Sequence, residues 1–298
     1  MRALAEFIMR GRAQACAVAF LGNLFPLISP ATVGLVSLRK GSKEGLVVLL
    51  WAALPLIASY FFGQGSGLLA LISGFSLLVT LVAAAVLSAT SSWQWTILTS
   101  MLMATVVTLL IGLLLGVDID LLIDRLSAMF AEIAAQQSSE IEPLAASRPL
   151  VLGASALMLV LSTVVCLAVS RWWQAMLYNP GGFGEEFRQL RLDMRVAGLS
   201  VGVFVLVLYL PTEYRFWADL MLVPLLLSGV SLMHYAVNVA ALGSSWLVFM
   251  YIGLVVSGPV IGGLLVGLGL ADSLMNLRLR LTANKDREQK VEMVNKRL

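Results

Sequence analysis

The sequence predicts an all-α polytopic transmembrane bundle of eight to ten spans, short or broken helices included, with both termini cytoplasmic. Three observations predict it. Of 298 residues, 59% are hydrophobic and 12% charged, against roughly 25% charged in soluble domains. No Asp, Glu, Lys or Arg occurs from Gly45 to Val117, Pro149 to Ser170, Val196 to Thr212 or Leu220 to Ala271, and these gaps hold apolar runs near the length of about 20 residues that crosses a bilayer. Most of the basic residues lie beside such runs, where the positive-inside bias puts them.

The same composition excludes several classes. The formal charge of +3 is a matter of topology and implies no nucleic-acid partner. Cys16 and Cys166 fall inside apolar runs and offer neither a disulfide framework nor a metal spacing. There is no serine nucleophile motif, metal-ligand cluster or helical His pair, so the chain reads as a non-enzyme without cofactors. Arg2, Arg10 and Arg12 before an apolar run resemble a signal peptide, but no small-residue cleavage site follows, which predicts a retained first anchor.

Residues 13–38 are apolar yet interrupted by Asn23, Pro26 and Pro30, with Arg10 and Arg12 before them and Arg39, Lys40 and Lys43 after. Positive charge at both ends predicts a hairpin of two short helices, because Pro26 removes a helix hydrogen bond and disfavours helix at Phe25. One continuous span is the rival reading, and it puts Arg39, Lys40 and Lys43 outside. From Gly45 the chain is apolar to Phe62, pauses at GQGSG (63–67), resumes from Leu68 to Thr90, pauses at SSWQW and continues to Val117. That makes three spans, with Trp93 and Trp95 at an interface.

Residues 118–148 carry six acids (Asp118, Asp120, Asp124, Glu132, Glu140, Glu142) against two arginines, a net charge of −4, which places them outside. Leu122, Leu126, Met129 and Ile133 recur at helical spacing, describing an amphipathic helix on the outer interface. Its carboxylates read as a solvated face in preference to an acid–base or cation site. Pro149 to Ser170 is a return span. The passage 171–195, RWWQAMLYNPGGFGEEFRQLRLDMR, holds four arginines against three acids and reads as a cytoplasmic arginine loop. Three short crossings follow an apolar run from Val196 to Leu210, at about 217–242, 244–258 and 259–276. Residues 1–277 thus form one transmembrane domain, and 278–298 a basic cytoplasmic tail.

Few residues invite chemistry. His234 sits in an apolar segment with Tyr235 beside it and Asn238 four residues on, so His234 and Asn238 share a helix face that should point into the bundle. With Asn23, these are the candidate ligand-binding residues; a structural hydrogen bond between helices is the more ordinary account. In NPGGFG, Gly181 and Gly182 suit a turn with positive φ, and Arg188, Arg191 and Arg195 follow at i, i+3 and i+7 on one face of a predicted helix, with Phe187, Leu190 and Met194 opposite. That group is a candidate dock for partners or lipid head groups; an interfacial helix facing phospholipid is the simpler reading. Small-xxx-small pairs occur at Ala13 with Ala17, Ala15 with Ala19, Gly258 with Gly262, and Gly263 with Gly267.

RWWQAMLYNPGGFGEEFRQLRL, the paired short apolar segments at the start and the closing GLGLADSLMNLRLR resemble the YybS-type bacterial membrane proteins, a family described as a domain of unknown function. The resemblance implies a multi-pass protein of the bacterial inner membrane. It implies more distant kinship with the substrate-binding components of energy-coupling-factor transporters and with MreD. The former use an Ala-xxx-Ala surface on the first helix to dock a coupling subunit, and Ala13, Ala15, Ala17 and Ala19 fit it by position. This chain is longer and shows no vitamin-binding signature. Two functions are therefore carried forward. One is a transporter-like small-molecule-binding subunit with its site among the broken helices. The other is a non-catalytic envelope scaffold docking partners through the arginine loop and tail. The expected partners are the lipid bilayer and either a membrane coupling subunit or envelope proteins.

Overall fold

The computed structural model describes residues 1–25, 27–62, 67–137 and 146–283. Among them the chain is helical throughout, without strands. Six helices are long and apolar enough to cross a membrane, and two shorter apolar helices accompany them. The protein is a multi-pass, all-α membrane protein. Pro26, most of GQGSG, Glu140, Glu142 and the tail from residue 284 lie outside the described residues.

The helices are α1 (Arg2–Arg10), α2 (Arg12–Leu21), α3 (Ile28–Lys40), α4 (Ser42–Phe62), α5 (Gly67–Thr90), α6 (Trp93–Leu114), α7 (Gly116–Gln137), α8 (Arg148–Tyr178), α9 (Gly182–Arg188), α10 (Met194–Leu208), α11 (Arg215–Val239), α12 (Ser245–Val256) and α13 (Gly258–Met275). A last helix, α14, covers 277–283. The chain divides into two compact units, one of residues 1–181 and 206–220 and the other of 182–205 and 221–298.

The first unit is built on the hairpin. Arg12, at the start of α2, pairs with Glu44 at the start of α4, so α3 returns the chain to the end from which α2 left. Across the turn, the Ser29 hydroxyl donates to the Ala19 carbonyl at 2.8 Å. The tip is pinned by Asn23, whose amide donates to Ala19 and Phe20 and, at 2.9 Å, to the Ala52 carbonyl. Ala52 is the eleventh of the 21 residues of α4, which sets it about 15 Å from either end at 1.5 Å per residue, half the depth of a hydrocarbon core of about 30 Å. The hairpin therefore turns level with the middle of α4 and returns to the end it left, and the continuous-span reading does not hold.

Helix α3 is the centre of this unit and packs on α4, α5 and α8. Ser29 and every residue from Ala31 to Ser37 are buried, as expected of a helix surrounded by others. Small neighbours make the approach close: a Cβ on Gly34 would strike the Ser170 hydroxyl, and one on Gly45 the Ser37 hydroxyl. Gly41, at φ +93°, then turns α3 directly into α4, a backbone region open to glycine without a Cβ penalty.

Helix α8 runs eight residues beyond the expected end of its span, absorbing the start of the predicted arginine loop. The sequence RWWQAMLY continues it because Trp173 and Ala175 are buried. Gln174 donates to the Leu38 carbonyl and the Arg39 guanidinium lies 4.1 Å from the centre of the Tyr178 ring. The stop is Asn179–Pro180–Gly181, with Gly181 at φ +89°. At the opposite end, Arg148 pairs with Asp120 of α7 at 2.7 Å, and the Trp217 indole donates to the Pro149 carbonyl at 2.9 Å.

In the second unit, α11 and α13 touch backbone to backbone. A Cβ on Gly229 would fall on the Leu265 carbonyl and one on Gly269 on the Leu225 carbonyl. Close approach occurs here and not at the predicted pairs: Gly258, Gly263 and Gly267 have nothing near a Cβ position. In α2, Ala15 and Ala19 are buried whereas Ala13 and Ala17 are exposed. Asn276, in the left-handed conformation at φ 50°, ends α13 and starts α14.

Alanine at Gly229 or Gly269 should destabilise the second unit by about 1–3 kcal/mol, because backbone must move to admit the methyl group. Gly267→Ala should stay within about 0.5 kcal/mol of wild type. Thermal unfolding of the three variants in one detergent checks the contrast.

Candidate functional site

The broken hairpin creates a cavity of about 300 Å³ in the first unit, between the turn (Gly22, Asn23), the first turn of α3 (Ser29, Pro30), α5 (Ser73, Ser76) and α8 (Leu159, Ser162). Its polar lining is made of hydroxyls and the Asn23 amide, and among the described residues none that lines it is ionisable. Leu27, at φ 72°, precedes α3 and gives it no side-chain cap, so the positive end of the α3 dipole meets the cavity. Large apolar side chains stand on the rim: Phe25 is 64% exposed and Met158 67%. A second hollow of about 490 Å³ between α4 and α5 is apolar apart from Tyr60; it offers nothing to orient a polar ligand.

Most hydroxyls in these helices close on their own backbone. Thr32, Ser37, Ser155 and Ser170 each donate to the carbonyl four residues earlier, the usual arrangement in a membrane helix. Ser76, Thr80 and Thr163, beside the hairpin, do not. Ser76, 7% exposed, lines the cavity and makes no hydrogen bond among the described residues. Thr80 and Thr163, both fully buried, are likewise without a partner. Thr80 lies one turn beyond Ser76 on α5, and Thr163 one turn beyond Leu159 on α8, each on the face that lines the cavity.

The second unit holds a different polar centre. The buried Arg278 guanidinium donates to Asp272 Oδ2 at 2.8 Å, to the Leu190 carbonyl at 2.7 Å, to the Ser231 hydroxyl at 3.1 Å and to the Arg188 carbonyl. Ser231 in turn donates to the Phe187 carbonyl at 2.7 Å, and the Tyr235 ring lies 5.4 Å from the guanidinium. Arg191 donates to the carbonyls of Asp272 and Ser273, placing positive charge on the last turn of α13, where the helix dipole favours it.

These contacts correct the predicted arginine face. Residues 190–193 are not helical, so Arg188 ends α9, Arg191 lies in the link and Arg195 is exposed near the start of α10. The carbonyls of Arg188 and Leu190, which a continuous helix would use itself, accept from Arg278 instead. Charge-assisted bonds are roughly twice as strong as neutral ones, which offsets the lost helical turn. Gly181 forms the turn before α9, and Gly182 is its first residue.

His234, Tyr235 and Asn238 are neighbours on α11 but serve different contacts. His234 Nε2 meets the Tyr251 hydroxyl of α12 at 2.8 Å and its ring stands edge-on to Phe187. The Tyr235 hydroxyl meets Thr282 at 2.6 Å, and the Asn238 side chain is exposed. Asn23 belongs to the first unit, apart from these three. No group of His, Cys, Asp and Glu suited to a metal occurs among the described residues.

Sequence reasoning missed Ser76, Thr80 and Thr163, for which hydroxyls in apolar helices are too common a signal. It also missed Asp272 and Arg278. There a signal existed: one carboxylate closes a 52-residue stretch free of charge, Leu220 to Ala271, and an arginine follows six residues later. The chain matches no protein-family model, no curated protein and no solved structure.

Arg278→Met leaves the Asp272 carboxylate and two backbone carbonyls without their donor, and should cost about 3–5 kcal/mol, the usual result of breaking a buried pair. Asp272→Asn, which still accepts from the guanidinium, should cost less. Thermal unfolding gives the order, and hydrogen exchange should rise across residues 189–193 in Arg278→Met alone.

Proposed function

We propose that the protein is a transporter-like subunit of a bacterial inner membrane that binds a small molecule in the hairpin cavity of the first unit. The observation that carries this reading is a cavity with hydroxyls in its wall, level with the middle of α4 and beside a helix break. Backbone that leaves the helical state within hydrocarbon is tolerated where it lines a cavity or is buried in protein, and broken helices at the midplane are where transporters hold their substrates.

In this reading the site is made by Asn23, Ser29, Ser76 and Ser162, while His234 and Tyr235 brace the second unit. The YybS-type resemblance agrees with an uncharacterised membrane family, and the kinship it implies points to a separate coupling subunit. No residue set here performs covalent catalysis in the proposal: binding and release are the function.

The test is ligand retention. Tagged protein purified from native membranes in mild detergent should release one stoichiometric small molecule on denaturation. Ser76→Phe, which fills the cavity, should lower that yield at least about tenfold, more than a lost hydrogen bond alone would do, while membrane insertion is unchanged. Equal yield from wild type and variant, or recovery of envelope proteins with phospholipid alone, contradicts the proposal.

A further inference from the structure

The chemistry of the cavity wall narrows what it accepts. We infer that the hairpin cavity takes an uncharged molecule with one hydrogen-bonding end and an apolar body, the polar end lying against Ser76 and the first turn of α3. The inference rests on the binding function proposed above and specifies its ligand.

Among the described residues, no side chain lining the cavity is ionisable. An ion brought to mid-membrane depth would lose its hydration with no counter-charge to replace it, a cost that far exceeds what a few neutral hydroxyls return. The polar groups are also unevenly distributed. Ser29 and Ser76 are buried at 1% and 7% exposure beside Leu77 and Leu159, whereas the exposed members of the lining are Phe25, Leu27 and Met158 with one hydroxyl, Ser73. The cavity thus runs from a mainly apolar rim to an inner end where two buried serines stand beside leucines.

Donors prevail at that inner end. The α3 dipole presents its positive end there, without a side-chain cap from Leu27, and favours an acceptor oxygen on the ligand. Ser76, unlike the hydroxyls that bond their own helix, keeps its O–H unspent. Thr80 and Thr163, one turn deeper on α5 and α8, are fully buried and unpartnered but do not line the cavity, so Ser76 is the unspent hydroxyl within a ligand's reach. A volume of about 300 Å³ equals that of about ten water molecules at roughly 30 Å³ each, and lies at the lower edge of small-molecule sites.

The experiment uses three matched probes: 2-naphthylmethanol, which is neutral, 2-naphthoate, which is anionic, and 2-naphthylmethylammonium, which is cationic. The full chain is placed in phosphatidylcholine nanodiscs, and binding is measured by equilibrium dialysis with empty nanodiscs as the reference. The alcohol should bind saturably at one site per chain, and both ions at least about tenfold more weakly, since each must shed its hydration in an uncharged cavity. Ser76→Phe should abolish binding of the alcohol, and Leu159→Trp, which fills the cavity from α8, does the same if the first variant fails to fold.

Absence of saturable alcohol binding overturns the inference. So does binding of either ion within about twofold of the alcohol, a difference too small to reflect a desolvated charge, or alcohol binding that survives both filling variants. The two claims fail separately. Selective binding of the alcohol by a protein that retains no cellular molecule leaves the cavity chemistry standing and removes the transport reading. Retention of a charged metabolite does the reverse.

Discussion

Hydrocarbon supplies no hydrogen bonds, so every backbone group that leaves a helix inside a membrane protein must find its partner in another part of the protein. The structure meets this constraint at two breaks, each with one side chain. At the hairpin tip the Asn23 amide serves three carbonyls, on α2 and on α4. At the link between α9 and α10 the Arg278 guanidinium serves the carbonyls of Arg188 and Leu190. A neutral donor answers the break at mid-span depth, and a charged one, itself neutralised by Asp272, answers the break beside the end of α13. Each unit is organised around its own answer.

The two answers lead to different capacities. Around Arg278 most of the polar groups engage one another: Ser231, Asp272 Oδ2 and the last carbonyls of α13 have arginine donors, while Asp272 Oδ1 and the Ser228 hydroxyl of the same unit have no partner among the described residues. Such a network specifies a packing arrangement, and neither of the cavities described above lies beside it. Around Asn23 the bonds stop short. The break is pinned, but Ser76 remains unspent in the cavity wall, and Thr80 and Thr163 are unpartnered in the packing behind it. Unused donors next to empty volume are the physical description of a binding site, and spent donors in packed surroundings are that of a strut.

How far the sequence foretold this depends on which force decided each feature. The membrane class follows from hydropathy alone, and the hairpin from positive charge at both ends of residues 13–38 together with the prolines. Both are local signals. The reach of α8 to Tyr178 depended on Trp173 finding a buried place, which is a tertiary fact. The single face of Arg188, Arg191 and Arg195 was a sound reading of spacing, overridden because a distant arginine claims the carbonyls that the helix needs. Asn23 was noticed for its polarity in an apolar run, but its three acceptors lie on two helices and could not be read from spacing. His234, the only histidine, attracted notice by rarity; its contact with Tyr251 makes it a link between α11 and α12. The serines and threonines of the cavity gave no signal, since a hydroxyl that bonds its own helix and one that points away from it are the same letter.

The central claim is that a hairpin turning at mid-membrane depth holds open a ligand site in the first unit. The most direct measurement is a cryo-electron microscopy map of the full chain in lipid nanodiscs, purified from native membranes without added ligand. The account predicts that the helix breaks at residues 22–25 beside Ala52, with compact non-protein density against Ser29 and Ser76. A continuous membrane-crossing helix through residues 13–38, or α5 and α8 closed against α3 with their side chains filling the space, would contradict it.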